Sequence, residues 1–159
     1  MSGRSRIFAF LLILGVVTAL SGCIFPEESV TIDIYGRDQI NPNVTAPNGL
    51  RIRINSEVDT DLNNMSVTIT VPERIHFKGT VGGKPLKLEK KGLTWVYSFT
   101  TDLPAGETKE FSFQYMPEIY EGDFKGGNEY SFTISVAVFD SSGKSIGNQT
   151  ATWRVTRTV

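Results

Sequence analysis

The chain has one cysteine and one histidine among its 159 residues. A single cysteine cannot close an intramolecular disulfide, and one imidazole beside one thiol is too few ligands for a structural zinc site. No basic excess is present either: 16 Lys and Arg face 17 Asp and Glu, which argues against a nucleic-acid binder. Acids are missing from the first 26 residues. The longest apolar run, Ile7 to Leu20, would form a helix of about 21 Å, short of a hydrocarbon core of about 30 Å. After that run, the i, i+3, i+4 spacing of an amphipathic helix does not persist anywhere.

What stands at the start is a short basic stretch with Arg4 and Arg6, the apolar run, and then Leu20-Ser21-Gly22-Cys23. Basic residues, an apolar segment and small residues in this order read as a secretory signal. Ser5 separates the two arginines, so a twin-arginine pair is absent and a Sec-type route is expected. The tetrapeptide resembles the lipobox of prokaryotic lipoproteins. That resemblance implies that Cys23 carries two lipid chains and begins the mature protein, and two chains hold a membrane stably where one holds marginally.

The expected organisation is therefore a signal peptide at 1–22, a lipidated cysteine with a short tether at 23–29, and one domain at 30–159. Ile24, Phe25 and Pro26 follow the cysteine directly, without a long Ser/Gly tether. Such a domain would sit close to the bilayer on the extracytoplasmic face of the cell membrane. Two bases leave with the signal, so 14 bases face 17 acids and the formal charge becomes −3.

From Val30 onward, apolar residues recur at every second position, which is the period of a half-buried strand. The runs are Val30 to Ile34, Leu50 to Ile54, Met65 to Val71, Ile75 with Phe77, Leu86 with Leu88, Trp95 to Phe99, Phe111 to Tyr115, Tyr130 to Val138, and Ala151 to Val155. Turn residues punctuate them: Asn48-Gly49, Gly82-Gly83, Pro104-Ala105-Gly106, Gly126-Gly127-Asn128 and Asp140-Ser141-Ser142-Gly143. About seven to nine strands with one apolar face each predict an all-β, immunoglobulin-like β-sandwich, with a jelly roll as the second solution.

Asn64-Met65-Ser66-Val67-Thr68-Ile69-Thr70-Val71-Pro72, then Trp95, Leu103-Pro104-Ala105-Gly106-Glu107-Thr108 and Phe111-Ser112-Phe113, together resemble the Ig-like repeats of prokaryotic surface proteins. These are the cell-adhesion-related and conserved-repeat domains. The resemblance implies a sandwich and no particular activity. Without a disulfide, Trp95 is expected to pack on aliphatic residues, and Tyr130 stands where a tyrosine corner would.

Five groups of residues are candidates for function. Met116, Pro117, Ile119, Tyr120 and Phe124 form the most apolar loop, which either docks an envelope protein or glycan or folds over the open end of the core. Lys84, Lys87, Lys90 and Lys91, with Lys78, surround the Gly82-Gly83 turn and could touch an anionic surface or guard an edge strand. Asn43, Asn64 and Asn148 head N-glycosylation sequons. Glu57 to Asn63 alternates oxygen donors but lacks the Gly and terminal Glu of an EF-hand loop, so a solvated loop is expected there. His76 lies between Ile75 and Phe77, on the outer face of its strand.

No catalytic set, metal or cofactor is expected from these residues. The reading is a lipid-anchored, extracytoplasmic lipoprotein with a binding or structural role at the cell surface. The alternatives are a subunit assembling through β-strand addition at Val30 to Tyr35 and, third, a carboxylate-based hydrolase.

Overall fold

β-branched and aromatic residues at alternate positions favour extended backbone and give each strand one apolar face, which two facing sheets can bury together. The computed structural model of the chain describes residues 28–36, 39–40, 48–124 and 127–157. The signal segment, Cys23 and the Asn43 sequon lie outside them.

Twelve strand segments occur: β1 (Val30–Gly36), β2 (Gln39–Ile40), β3 (Asn48–Ser56), β4 (Leu62–Pro72), β5 (Ile75–Lys78), β6 (Thr80–Val81), β7 (Lys84–Pro85), β8 (Lys87–Lys91), β9 (Thr94–Leu103), β10 (Thr108–Pro117), β11 (Glu129–Phe139) and β12 (Ser145–Arg157). Nine of them have four residues or more, in agreement with the sequence. One sheet has the order β1-β3-β10-β5, the other β2-β12-β11-β4-β9-β8, and β6-β7 is a separate hairpin. The first two long strands pair on one sheet and the third pairs with the last hairpin on the other, which is the immunoglobulin-like arrangement. All pairings are antiparallel except the short parallel contact of β2 with β12.

The sheets meet over a core of apolar side chains that includes Leu50, Ile52, Ile54, Val67, Ile69, Ile134 and Val138, all with no exposed surface. Among the described residues Ser56 is the one buried polar residue outside the aromatic set, and its hydroxyl donates to the Val58 carbonyl at 3.2 Å. Aromatic rings run through this core from Tyr97 to Phe77 to Tyr115 and on to Trp153. Two of the hydrogen bonds that cross between the sheets are buried. Trp153 Nε1 on β12 donates to Tyr115 Oη on β10 at 3.1 Å, and the Phe77 amide on β5 donates to Tyr97 Oη on β9 at 3.0 Å. Burial pushes the Tyr97 phenol above its usual pKa, which keeps it neutral.

Three expectations change at this level. Trp95 is not the core tryptophan: it is only half-buried, at the rim of the sandwich, and Trp153 takes the central place among aromatic neighbours. Tyr130 packs its ring on Phe124 and Phe132, while Tyr97 is the tyrosine whose hydroxyl meets backbone across the core. Of the Leu86–Leu88 run, Leu86 is half-buried against the core but Leu88 is not. β8 is exposed along its whole length and Leu88 keeps 50% of its surface, because the six-stranded sheet overhangs its four-stranded partner at this edge.

The N-terminal strand is paired along its whole length with one neighbour. β1 pairs with β3 over all seven of its residues, and Ser29 N donates to the Ile146 carbonyl at 2.9 Å. Folded structure thus already includes Ser29. A Cβ at Gly147 would lie 2.5 Å from Val30 Cγ2, so glycine is what lets β12 approach β1 this closely. β1 is nonetheless the edge of its sheet, with β3 on one side only.

Two stability outcomes follow from this packing. Ile134→Ala should lower the unfolding free energy by about 2–5 kcal/mol, whereas Leu88→Ala should change it by no more than about 0.5 kcal/mol, both read from urea titrations of the same chain. Tyr115→Phe should cost about 1–3 kcal/mol, because the buried Trp153 N–H loses its acceptor. Equal effects at Ile134 and Leu88 would contradict the assigned core.

Candidate binding surface

Of the two readings of the apolar loop after β10, the structure shows the loop folded over the open end of the core. Ile119 and Phe124 are 3% and 4% exposed and belong to the core. Met116 pairs with His76 in the β10–β5 ladder and is half-buried. Tyr120 alone of the four projects outward, with 65% of its surface exposed. The physical reason is that the loop closes the open end of the sandwich, so its apolar residues complete the aromatic core through Phe124 and Tyr130.

Tyr120 is held from two directions. Arg74, just before β5, makes a two-pronged contact with Asp123, Nη1 to Oδ1 at 2.8 Å and Nη2 to Oδ2 at 2.7 Å. The same guanidinium lies 5.6 Å from the Tyr120 ring centre. Asp123 Oδ2 also accepts the Tyr120 amide at 2.8 Å, across the single 3-10 turn Glu121–Asp123, and Glu118 N donates to the Arg74 carbonyl at 2.7 Å. Hydrogen bonding to Asp123 pushes the Arg74 guanidinium further above its already high pKa, so this clamp stays charged.

A second aromatic stands nearby on β9. Trp95 Nε1 donates to the Glu73 carbonyl at 2.7 Å, which fixes the indole at the rim. Lys90 Nζ sits 5.3 Å over the ring and bridges to the Glu73 carboxylate at 3.1 Å. On its other flank is His76, 6.2 Å away between ring centres, and His76 Nε2 meets Glu118 Oε1 at 2.9 Å. The histidine read as solvent-facing is thus on the surface and paired.

These contacts join two candidates that sequence placed far apart. A continuous strip runs from Lys90 through Trp95 and His76 to Glu118, and continues over Arg74 to Tyr120. Glu73, Arg74 and Trp95 were not singled out as surface residues in the sequence, because a strand-end tryptophan has the same alternation whether it points into the core or past its edge. The remaining lysines divide. Lys91 pairs with Glu89 at 3.4 Å, while Lys78, Lys84 and Lys87 make no ion pair among the described residues.

The other sites are structural or free. Asp61 Oδ1 accepts the Ala105 amide at 2.9 Å and Glu57 accepts the Thr31 hydroxyl at 2.9 Å, so the Glu57–Asn63 loop straps neighbouring turns. No group of three His, Cys, Asp or Glu could hold a metal among the described residues. Asn64 and Asn148 are exposed, and Asn64 adopts a positive φ of 53° at a bulge in β4. On the outer face of the smaller sheet, Tyr35 donates to Glu110, which also meets Arg51 and Arg53. The Tyr35 hydrogen bond, followed by the arginines, holds the Glu110 carboxyl below its usual range.

No family model matches the sequence, and no curated protein matches it. Among solved structures, AvmM, described as catalysing macrocyclization in alchivemycin A biosynthesis, is similar at 8% identity over 83% of this chain and 91% of that one, with a TM-score of 0.52. The CARDB domain of PF1109 from Pyrococcus furiosus is similar at 17% identity, covering 81% of this chain and 94% of that one, with a TM-score of 0.47. A FixG-related protein from Vibrio parahaemolyticus shows 9% identity, coverage of 82% and 98%, and a TM-score of 0.48. At 8% identity, what the chain shares with AvmM is the fold alone.

Proposed function

We propose that this chain is a lipid-anchored, extracytoplasmic lipoprotein whose sandwich works by binding rather than catalysis at the cell surface. The observation that carries the reading is the polarity of the domain. β1 enters at Val30, opposite Ser56, and reaches Gly36 opposite Leu50. β3 then places Asn48 opposite Tyr115, and β10 brings Pro117 opposite Ile75. The strip of Trp95, His76 and Tyr120 therefore stands at the end of the sandwich away from chain entry, about seven strand residues or some 23 Å along. An anchor at Cys23, five residues before Glu28 in the sequence, would leave that strip facing away from the membrane.

The strip suits recognition of an envelope protein or glycan. Its two aromatic side chains are held by ion pairs and main-chain hydrogen bonds before any ligand arrives, so little side-chain freedom is lost on binding. Aromatic and arginine side chains are also those that dominate binding energy at interfaces. Assembly through the N-terminal strand has less support, since β1 is paired along its full length.

Cys23→Ser should move the protein from the membrane to the soluble fraction; unchanged membrane association would refute the anchor. Separately, Tyr120→Ala should reduce the amount of ligand retained from the organism's own envelope extract by about tenfold, in line with an exposed hot-spot residue. Leu93→Ala, at a position with 76% exposure outside the strip, should leave retention unchanged. Equal retention by all three proteins would place recognition elsewhere.

A further inference from the structure

We infer that a groove beside the β6–β7 hairpin is a phosphate-binding site, distinct from the aromatic strip. β9 runs to Leu103, but β8 pairs with it only from Thr94 to Ser98. Past Ser98 the edge of β9 is free of β8, and the hairpin carrying Gly82 and Gly83 stands beside it. Both glycines have positive φ, 57° and 76°, as this tight turn requires. The resulting groove has a volume of about 370 Å³.

Its lining is chemically one-sided. Lys84 and Lys87 supply positive charge, Ser66, Ser98 and Thr100 supply hydroxyls, and Val81, Pro85 and Phe99 supply apolar surface. No carboxylate lines it. The structure also sorts the four lysines that sequence grouped together: Lys90 and Lys91 are matched by Glu73 and Glu89, whereas Lys84 and Lys87 have no ion pair among the described residues and both line the groove. An unmatched pair of lysines in a lining that also carries hydroxyl residues is complementary to an anion.

The donor types point to a tetrahedral oxyanion. Planar carboxylates are best met by the two-pronged fork of arginine, which this groove lacks, whereas lysine binds phosphate as a point charge. Hydroxyl groups can donate to the remaining phosphate oxygens. The apolar wall of Phe99 and Val81 suits the carbon skeleton to which the phosphate is attached. The ligand class is thus a phosphate ester of a small polyol, whether free or as the headgroup of an anionic phospholipid.

The test uses the full chain in neutral maltoside micelles, with amide shifts of Ser98 and Thr100 followed by NMR. One arm adds glycerol phosphate; the other dopes the micelles with phosphatidylglycerol, with phosphatidylcholine as the control. Saturable shifts with glycerol phosphate identify a soluble polyol phosphate, and shifts confined to phosphatidylglycerol identify a lipid headgroup; either supports the site. Lys84→Ala with Lys87→Ala should weaken binding by about tenfold or more, as expected for two lysines near an anionic group. Lys90→Ala with Lys91→Ala should leave it within about twofold. Ser98→Ala with Thr100→Val, which keeps every charge, should weaken binding several-fold and so separates a built site from general attraction. Absence of shifts with both probes, or equal loss in the two lysine pairs, would overturn the proposal. Apart from Lys90 in the control variant, the aromatic strip takes no part in this readout, so its failure and that of the groove are distinguishable.

Discussion

A hydroxyl or indole N–H placed between two apolar sheets has left water behind, and it must find its partner inside. Tyr115 and Tyr97 meet that demand by reaching across the sandwich, one to Trp153 and the other to the Phe77 amide. Among the described residues no buried side-chain nitrogen or oxygen is left without a partner. Each bond contributes modestly in itself, on the order of 1 kcal/mol. Its larger effect is on register. Sliding one sheet against the other would strand a buried donor and acceptor, so the hydrogen bonds select one facing arrangement where apolar contacts alone would tolerate several. The chain has no disulfide with which to fix the sheets, and polar bridges between aromatics take over that task.

The same aromatic core determines what is left for the surface. Phe124 and Ile119 are drawn down to close the sandwich, and this pulls the loop's main chain into a position where Tyr120 has no core site left to fill. Arg74 and Asp123 then hold the loop from outside. Trp95 is exposed for a different reason. It lies at the overhanging side of the larger sheet, where the facing strand β5 is only four residues long. The two rings of the strip are thus surface features produced by sheet dimensions and loop closure. Their charged neighbours keep them oriented while leaving them accessible.

Much of the architecture was legible because strand period and burial are locally encoded. Val67, Ile69 and Val71 alternate in sequence and are buried in the structure, and Gly106 has the positive φ, 65°, that its turn demanded. The failures share a cause: period two reports which residues share a face, but not whether an opposing strand covers that face. Leu88 and Trp95 follow the pattern as faithfully as Tyr97, yet only Tyr97 is covered. Asn48-Gly49 reads as a turn and instead opens β3, where Gly36 lets the backbone of β1 lie close against that of β3. The strip itself was out of reach, since Glu73, Trp95 and Glu118 meet only through the pairing of β5 with β10 and of β4 with β9.

The exposed edge at β8 shows how charge can serve two ends at once. If two copies paired antiparallel through Lys87–Lys91 about its centre, Lys87 would face Lys91 and Glu89 would face its own counterpart. Like charges directly opposite one another destabilise a strand pair, and lysines are a common device for protecting an edge. Self-association along this strand is therefore opposed by its own sequence. Yet the protective role does not use the lysines equally. Lys90 and Lys91 are balanced by carboxylates within the same surface, while Lys87, at the point where β8 leaves β9, and Lys84 on the hairpin turn toward hydroxyls and an open strand edge. Edge protection alone would be satisfied by charge anywhere along β8. It does not account for an unmatched pair gathered at one groove, and that asymmetry is what separates a guarded edge from a site built to receive an anion.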